Sequence, residues 1–363
     1  MALFKRMLAE DHEQVVFCTD RTASLTAIIA IHDTTLGPSL GGIRMRTYAS
    51  EEDAVTDALR LAQAMTYKAS LAGLEYGGGK AVVIANETPT SGTATSREIL
   101  FRALGRTIES LAGRYIPTED MGTTIADIEY VLAESRFGVG RAEVFGGGDD
   151  PSPMTAWGVF CGLRACLEET DGTTEFQGLS VALPGLGKVG YALAKYLHEA
   201  GARLLVADVD ATRTQKAEAE LNAQTVDPHQ ILTQQCDILA PCAAGGIFNQ
   251  DTIPQLKCRI IGGGANNQLL TDADGDALLA RGILYAPDFA INAGGLINVA
   301  DELGPGGYRR ERAKAKTEQI YSTLKTIFAQ AKQRDIPPHR LAVTLAQERI
   351  QAVRQLRRLN AAV

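Results

Sequence analysis

Short apolar runs between polar breaks open the chain. Val15-Val16-Phe17 and then residues 25–31 fit this pattern, which predicts paired strands over residues 14–32. Gly37, Gly41 and Gly42 predict a flexible turn region after them. Ser50 with Asp53 forms an acidic variant of a capping box and predicts a helix that runs through Met65 to about residue 70. Residues 80–85 read as a buried strand and 114–116 as another. The glycine- and aspartate-rich run at 146–151 reads as a linker, followed by a helix over 154–169. Beyond it the pattern changes. Apolar runs at 179–183, 202–206, 237–239, 259–261 and 283–285 alternate with helical stretches, which predicts a parallel sheet covered by helices on both faces. Two long helical patterns follow from residue 309, broken apart by Pro337-Pro338. The last, over 339–359, is amphipathic and basic at its end, and should pack back on the first half or on a partner subunit.

At 363 residues the chain is long enough for two domains. The expected division is 1–148, joined by the final helix at 338–363, and 149–337. Apolar residues make up 45% and charged residues 22%, as in ordinary globular proteins. The net charge of -7 gives no general attraction to phosphate backbones, so nucleic acid is not expected as a partner. The six cysteines form no CxxC pair and several lie in apolar runs, so they read as reduced, buried thiols. No signal-type or membrane-spanning apolar stretch is legible, and the expected location is cytoplasmic. No metal is expected.

The sequence Val181-Ala-Leu-Pro-Gly185-Leu-Gly187-Lys-Val-Gly190 places three glycines in the G-x-G-x-x-G positions, between a predicted strand and a predicted helix. The first allows the tight turn, the second lets main chain approach a pyrophosphate, and the third lets helix pack on strand. Leu186, Lys188 and Val189 complete the loop, and the helix start offers free N–H groups to the pyrophosphate. Asp208 ends the next strand, 18 residues after Gly190 (208 − 190). A carboxylate there suits the ribose hydroxyls of NAD and repels the extra phosphate of NADP. Arg213 keeps NADP open as a minor option.

Candidate chemistry gathers in the first half. Lys80 follows Gly77-Gly78-Gly79, which would leave room for a ligand against main chain and set the lysine at a strand start. Lys68 ends the preceding helix and shares a face with Met65. Two close amines lower each other's pKa, and an amine near neutrality can act as a general base. Asp120 follows a strand and offers a second acid–base group.

These residues carry a resemblance. Leu36-Gly-Pro-Ser-Leu-Gly-Gly, Met65-Thr-Tyr-Lys68-Ala, Gly77-Gly-Gly-Lys80, Glu119-Asp120-Met-Gly-Thr, Pro151-Ser-Pro-Met-Thr155, Ala265-Asn-Asn267-Gln-Leu and Asn292-Ala-Gly-Gly-Leu-Ile-Asn are similar to the leucine/valine/phenylalanine/tryptophan dehydrogenase group of the glutamate dehydrogenase superfamily, in order along nearly the whole chain. The resemblance implies an N-terminal α/β substrate domain and a Rossmann dinucleotide-binding domain with the cleft between them. It also implies a homo-oligomer, dimer or octamer, acting on an amino acid, its 2-oxo acid and ammonia. By the same resemblance Lys68 holds the substrate carboxylate, with main chain at Gly41, Gly42 and Gly78 beside it. Lys80 is the base that activates water, and Asp120 exchanges protons with the amine. Thr155 and Asn267 sit near the nicotinamide or the amine. Leu40, Met65, Val139, Leu296 and Val299 surround the substrate side chain. All five are apolar, so burying a glutamate carboxylate among them would be costly. Branched aliphatic substrates come first and aromatic ones second.

Two other classes of protein fit the sequence less well. A non-catalytic NAD sensor would not need Lys68, Lys80 and Asp120 together. A 2-hydroxy-acid dehydrogenase usually wants a catalytic histidine, and His12, His32, His198, His229 and His339 lie in no corresponding motif.

Overall fold

The computed structural model describes residues 3–85 and 94–361; the outer ends of the predicted first domain, residues 1–2 and 362–363, lie outside them. The chain divides into two compact units, Met1–Asp150 with Val299–Arg310 and Ala346–Val363, and Pro151–Asn298 with Glu311–Leu345. Each is described by itself.

Among the described residues, the first unit holds α1 (Leu3–Ala9), β1 (Gln14–Asp20), β2 (Leu25–Asp33), β3 (Ser39–Arg46), α2 (Glu51–Leu71), β4 (Gly77–Ile84), α3 (Ala94–Ser110), β5 (Tyr115–Glu119) and α4 (Ile125–Leu132). Its strands form one sheet in the order β1-β2-β4-β3-β5. The pairs β1–β2 and β2–β4 are antiparallel, whereas β3 is parallel to both β4 and β5. Alternation along the strands sends Ile28, Ala30 and Val82 to one face. There they meet Ala54, Ala58, Leu59 and Ala62 of α2. Ile29, Ile31, Ile43, Ala81 and Val83 go to the other face, with Phe101, Leu104 and Ile108 of α3. Ser50 caps α2, accepting from the Asp53 N–H at 3.1 Å, and Glu51, Glu52 and Asp53 favour its positive end.

Two local expectations change. Gly41 and Gly42 belong to β3 rather than to a turn, and β4 begins at Gly77, so Lys80 lies inside a strand. The reason is close approach. A Cβ on Gly78 would sit 2.1 Å from the Thr66 amide nitrogen, so the space is filled by α2 and not left for a ligand.

The second unit holds α5 (Ser152–Asp171), β6 (Ser180–Pro184), α6 (Lys188–Glu199), β7 (Arg203–Ala207), α7 (Ala211–Leu221), β8 (Gln224–Thr225), β9 (Ile238–Leu239), β10 (Ile260–Ile261), α8 (Asp272–Ala280), β11 (Leu284–Tyr285) and α9 (Asp288–Ile291). The helices α10 (Gly294–Asp301), α11 (Arg310–Arg334) and α12 (Pro338–Ala361) then span the unit boundaries. The sheet is parallel throughout in the order β11-β10-β9-β6-β7-β8, the Rossmann order, with its switch point between β6 and β9. The edge strand β8 escapes sequence reading because it is two exposed polar residues.

The segment Val299–Arg310, expected with the nucleotide half, belongs with the first unit. Glu302 anchors it there. Its carboxylate accepts the Gly140 N–H at 3.0 Å and the Gly148 N–H at 2.8 Å. The end of α12 also joins the first unit, where Arg349 donates to the Ser70 and Leu74 carbonyls at 3.0 and 2.9 Å. All six cysteines are free thiols, four of them buried and Cys242 and Cys258 partly so. Among the described residues no helix is long and apolar enough to cross a membrane.

Candidate active site

Alternation along the strands puts Gly42 and Arg44 of β3, Lys80 of β4 and Thr118 of β5 on the α2 face of the first sheet. Gly42 lies opposite Thr118 in register. A Cβ on Gly42 would stand 2.6 Å from the Asp120 Cβ and 3.1 Å from the Lys80 Nζ, so the bare main chain at Gly42 lies against both groups. Tyr115, fully buried, donates to the Gly41 carbonyl at 2.8 Å and fixes that stretch of β3.

Asp120 is held just beyond β5. Its N–H donates to Thr123 Oγ1 at 2.9 Å, and that hydroxyl lies 2.8 Å from the Ile43 carbonyl. Its carboxylate has two cationic partners on one oxygen. Lys80 Nζ is 3.0 Å from Oδ2, and Arg44 Nε donates to the same atom at 2.8 Å. Arg44 Nη1 also reaches Asp57 Oδ2 at 3.3 Å, where the Tyr48 hydroxyl donates at 2.7 Å. Lys80 is 3% exposed. Its pKa is lowered, first by burial and then by Arg44, and Asp120 opposes without cancelling. Burial pushes Asp120 up, but Lys80 and Arg44 outweigh it and bring the carboxyl down to about 2. The result is an ionised Asp120 beside an amine that gives up its proton more readily than an ordinary lysine. Such an amine can take a proton from water or a substrate.

Lys68 and Met65 lie on α2, both partly buried. Met65 reaches Gly41, whose Cβ would lie 3.4 Å from its Cγ. Leu40, Val139 and Val299 are buried in the first unit, with Val299 Cγ1 3.8 Å from where a Gly140 Cβ would stand. Leu296, also buried, belongs to the second unit. Sequence reading missed Arg44, Asp57, Tyr48, Tyr115, Thr118 and Thr123. Of these, Arg44 carried a signal, since it lies two positions after Gly42 and so on the same strand face.

In the second unit, Gly185 takes φ +100 and Gly187 caps α6. A Cβ on Gly187 would point into open space, as a pyrophosphate loop needs. A cavity of about 360 Å³ opens at the switch point, lined by Pro184 and Gly187, by Asp208 and Arg213, and by Pro241 and Cys242. Asp208 accepts the Leu186 N–H at 2.7 Å and the Asp210 N–H at 2.9 Å, with Arg213 Nη1 3.4 Å away. This geometry fits a dinucleotide. Lys188 and Val189 open α6 as the motif implies. Thr155 donates to the Pro151 carbonyl at 3.1 Å, and Asn267, at φ +52, accepts the Gly246 N–H at 2.7 Å. Asn292 ties that loop together by donating to Asn266 Oδ1 at 2.8 Å.

One substitution tests the loop directly. A methyl at Gly190 would stand 1.9 Å from the Gly185 carbonyl oxygen and push α6 off its strand. Gly190→Ala is expected to weaken dinucleotide binding by about tenfold or more, a loss of about 1.4 kcal/mol, in a fluorescence titration. Undiminished affinity would refute the close packing.

The parallel sheet with its glycine loop and switch-point cavity is that of a dinucleotide-dependent oxidoreductase, and the other unit carries a buried lysine beside an aspartate. The chain belongs to the Glu/Leu/Phe/Val dehydrogenase family: the family's dimerisation domain matches residues 12–137 and its Glutamate/Leucine/Phenylalanine/Valine dehydrogenase domain matches residues 206–358. It is 50% identical over 357 residues to the leucine dehydrogenase of Geobacillus stearothermophilus, covering 98% of this chain and 95% of that one. It is 47% identical to the phenylalanine dehydrogenase of Bacillus thermotolerans, covering 96% and 91%. The crystal structure of L-tryptophan dehydrogenase from Nostoc punctiforme superposes with a TM-score of 0.82 at 41% identity, covering 97% and 99%. The protein is an amino-acid dehydrogenase with a dinucleotide-binding domain.

Proposed function

We propose that this enzyme oxidatively deaminates a branched-chain L-amino acid (valine, leucine or isoleucine) to its 2-oxo acid and ammonia, reversibly, with NAD. The observation that carries the reading is Lys80, a buried amine 3.0 Å from the carboxylate of Asp120. Deamination needs such a group, and mere NAD sensing does not.

The dinucleotide, when bound, supplies the hydride acceptor. Lys68 holds the α-carboxylate. Lys80 takes one proton from water as its oxygen bonds to the imine carbon. The resulting ammonium then stabilises the oxyanion that forms when the carbinolamine hydroxyl gives its proton, by way of Asp120, to the departing amine. Leu40, Met65, Val139, Leu296 and Val299 favour an apolar side chain over an ionised one. The higher identity to a leucine dehydrogenase supports a branched aliphatic substrate. Aromatic substrates, phenylalanine or tryptophan, form the second reading, supported by the likeness to the tryptophan enzyme. The match to a dimerisation domain supports a homo-oligomer. The test is NADH formation against valine, leucine, isoleucine, phenylalanine, tryptophan and glutamate. The highest kcat/KM is expected with a branched aliphatic side chain, and a preference for glutamate would overturn the reading.

For the cofactor, the Asp208 side chain is 6% exposed and the residue lines the cavity. Asp208→Asn removes the charge that repels a 2′-phosphate and releases Arg213 toward one. The preference for NAD over NADP is expected to fall about tenfold or more, again about 1.4 kcal/mol. An unchanged ratio of the two kcat/KM values would count against this role.

A further inference from the structure

Lys80 has a second charged neighbour that the reaction as described does not use. Arg44 reaches from β3 with its side chain 12% exposed and spans two carboxylates, Asp120 at 2.8 Å and Asp57 at 3.3 Å. Asp57 is in turn held by the Tyr48 hydroxyl. We propose that Arg44 is a positioning residue that carries the counter-charge of Asp120, so that Lys80 can lose its proton while Asp120 keeps its charge.

A buried lysine–carboxylate pair with no third partner titrates as a unit, and each charge holds the other in place. Such a lysine is a poor base, because its deprotonation strands an anion. Arg44 removes that constraint. Its guanidinium stays charged at any working pH, and its rigid fork is already aimed at Asp120. The two cations, Lys80 and Arg44, face two anions, Asp120 and Asp57. When Lys80 turns neutral, Asp120 still has an ion pair. The groups facing Lys80 are Asp120 past β5, Arg44 on β3 and Asp57 on α2. Tyr48 stands behind Asp57, and Tyr115 behind Gly41. Lys68 lies near the end of α2. On the other side of β4, β2 sets only Ala30 opposite Lys80. Arg44 also lowers the Lys80 pKa directly.

This inference rests on Lys80 being the base. The experiment measures kcat/KM for oxidative deamination against pH in the whole enzyme, for wild type, Arg44→Gln, Arg44→Lys and Lys80→Ala, with dinucleotide affinity titrated in parallel. A neighbouring charge moves a pKa by about one to three units. In Arg44→Gln the acidic limb is therefore expected to move to higher pH, with kcat/KM below the limb down about tenfold or more and dinucleotide affinity kept. Arg44→Lys, which restores the charge but not the fork, should fall between. A rate that drops evenly at every pH, with the limb unmoved, would overturn the proposal. If Arg44→Gln does not fold, the limb of Arg44→Lys decides in the same way. Full turnover in Lys80→Ala would instead remove the base reading and leave the ion pairs as structure.

Discussion

Lys80→Ala lowers turnover by about 10²–10⁴-fold, the range for loss of a positioned general base, while the protein stays folded and binds dinucleotide normally. Both halves of this expected result follow from the site. The amine beside Gly42 is held below the ordinary lysine range, first by burial and then by Arg44 against the pull of Asp120, which favours its action as a proton acceptor. Its removal does not strand Asp120, whose carboxylate keeps the Arg44 Nε at 2.8 Å. The fold therefore loses some packing around the lysine stem but gains no unpaired charge. The dinucleotide loop is built by Gly185, Gly187 and Gly190 in the other unit, so its affinity reports folding independently of chemistry. The check is NADH formation together with a fluorescence titration. Turnover within a few-fold of wild type would dispose of the base assignment.

The parts of this molecule that sequence made legible are those where one local rule decides. Ser50 followed by acids starts a helix wherever it lies, and α2 begins at Glu51. The glycine triad at 185–190 works within a single strand–turn–helix, so spacing alone suffices. Gly77–Gly79 misled for the opposite reason. Glycine signals missing bulk, and only the packing partner says what fills it; here that is the Asp33 main chain at Gly77, Thr66 of α2 at Gly78, and Ser39 with Tyr115 at Gly79.

The site was half legible on the same grounds. Lys80 and Asp120 stand out through their motifs, but the second cation beside Asp120 does not. The structure supplies Arg44, which comes from the adjacent parallel strand, 76 positions from Asp120. Parallel pairing of β3 with β4 and β5 creates that contact, and no periodicity within one strand reports which strands pair. Tyr115 and Thr123 were silent for the same reason, since both bond to main chain of β3.

Asp120→Asn is expected to cost more than Lys80→Ala, because it damages chemistry and stability together. Asparagine matches the carboxylate in shape but cannot neutralise Lys80 and Arg44. Breaking a buried ion pair by removing one partner costs about 3–5 kcal/mol. The low end applies here, because the Asp120 side chain is 22% exposed. The loss depends on pH with a definite sign. The folded carboxyl stands at about 2, below its ordinary 3.8. Its contribution is complete above the ordinary value and vanishes as pH falls through the folded one. Wild type and variant should therefore differ most near neutrality and converge in acid, which denaturant melts at pH 7 and pH 3 would show. Turnover should fall by about 10²–10⁴-fold, the range for a lost proton-transfer group. The remaining activity carries the sharper signal. Asp120 raises the Lys80 pKa where Arg44 lowers it, so the acidic limb of Asp120→Asn moves to lower pH, opposite to that of Arg44→Gln. If both variants shifted the limb the same way, these two side chains could not be acting on Lys80 through charge.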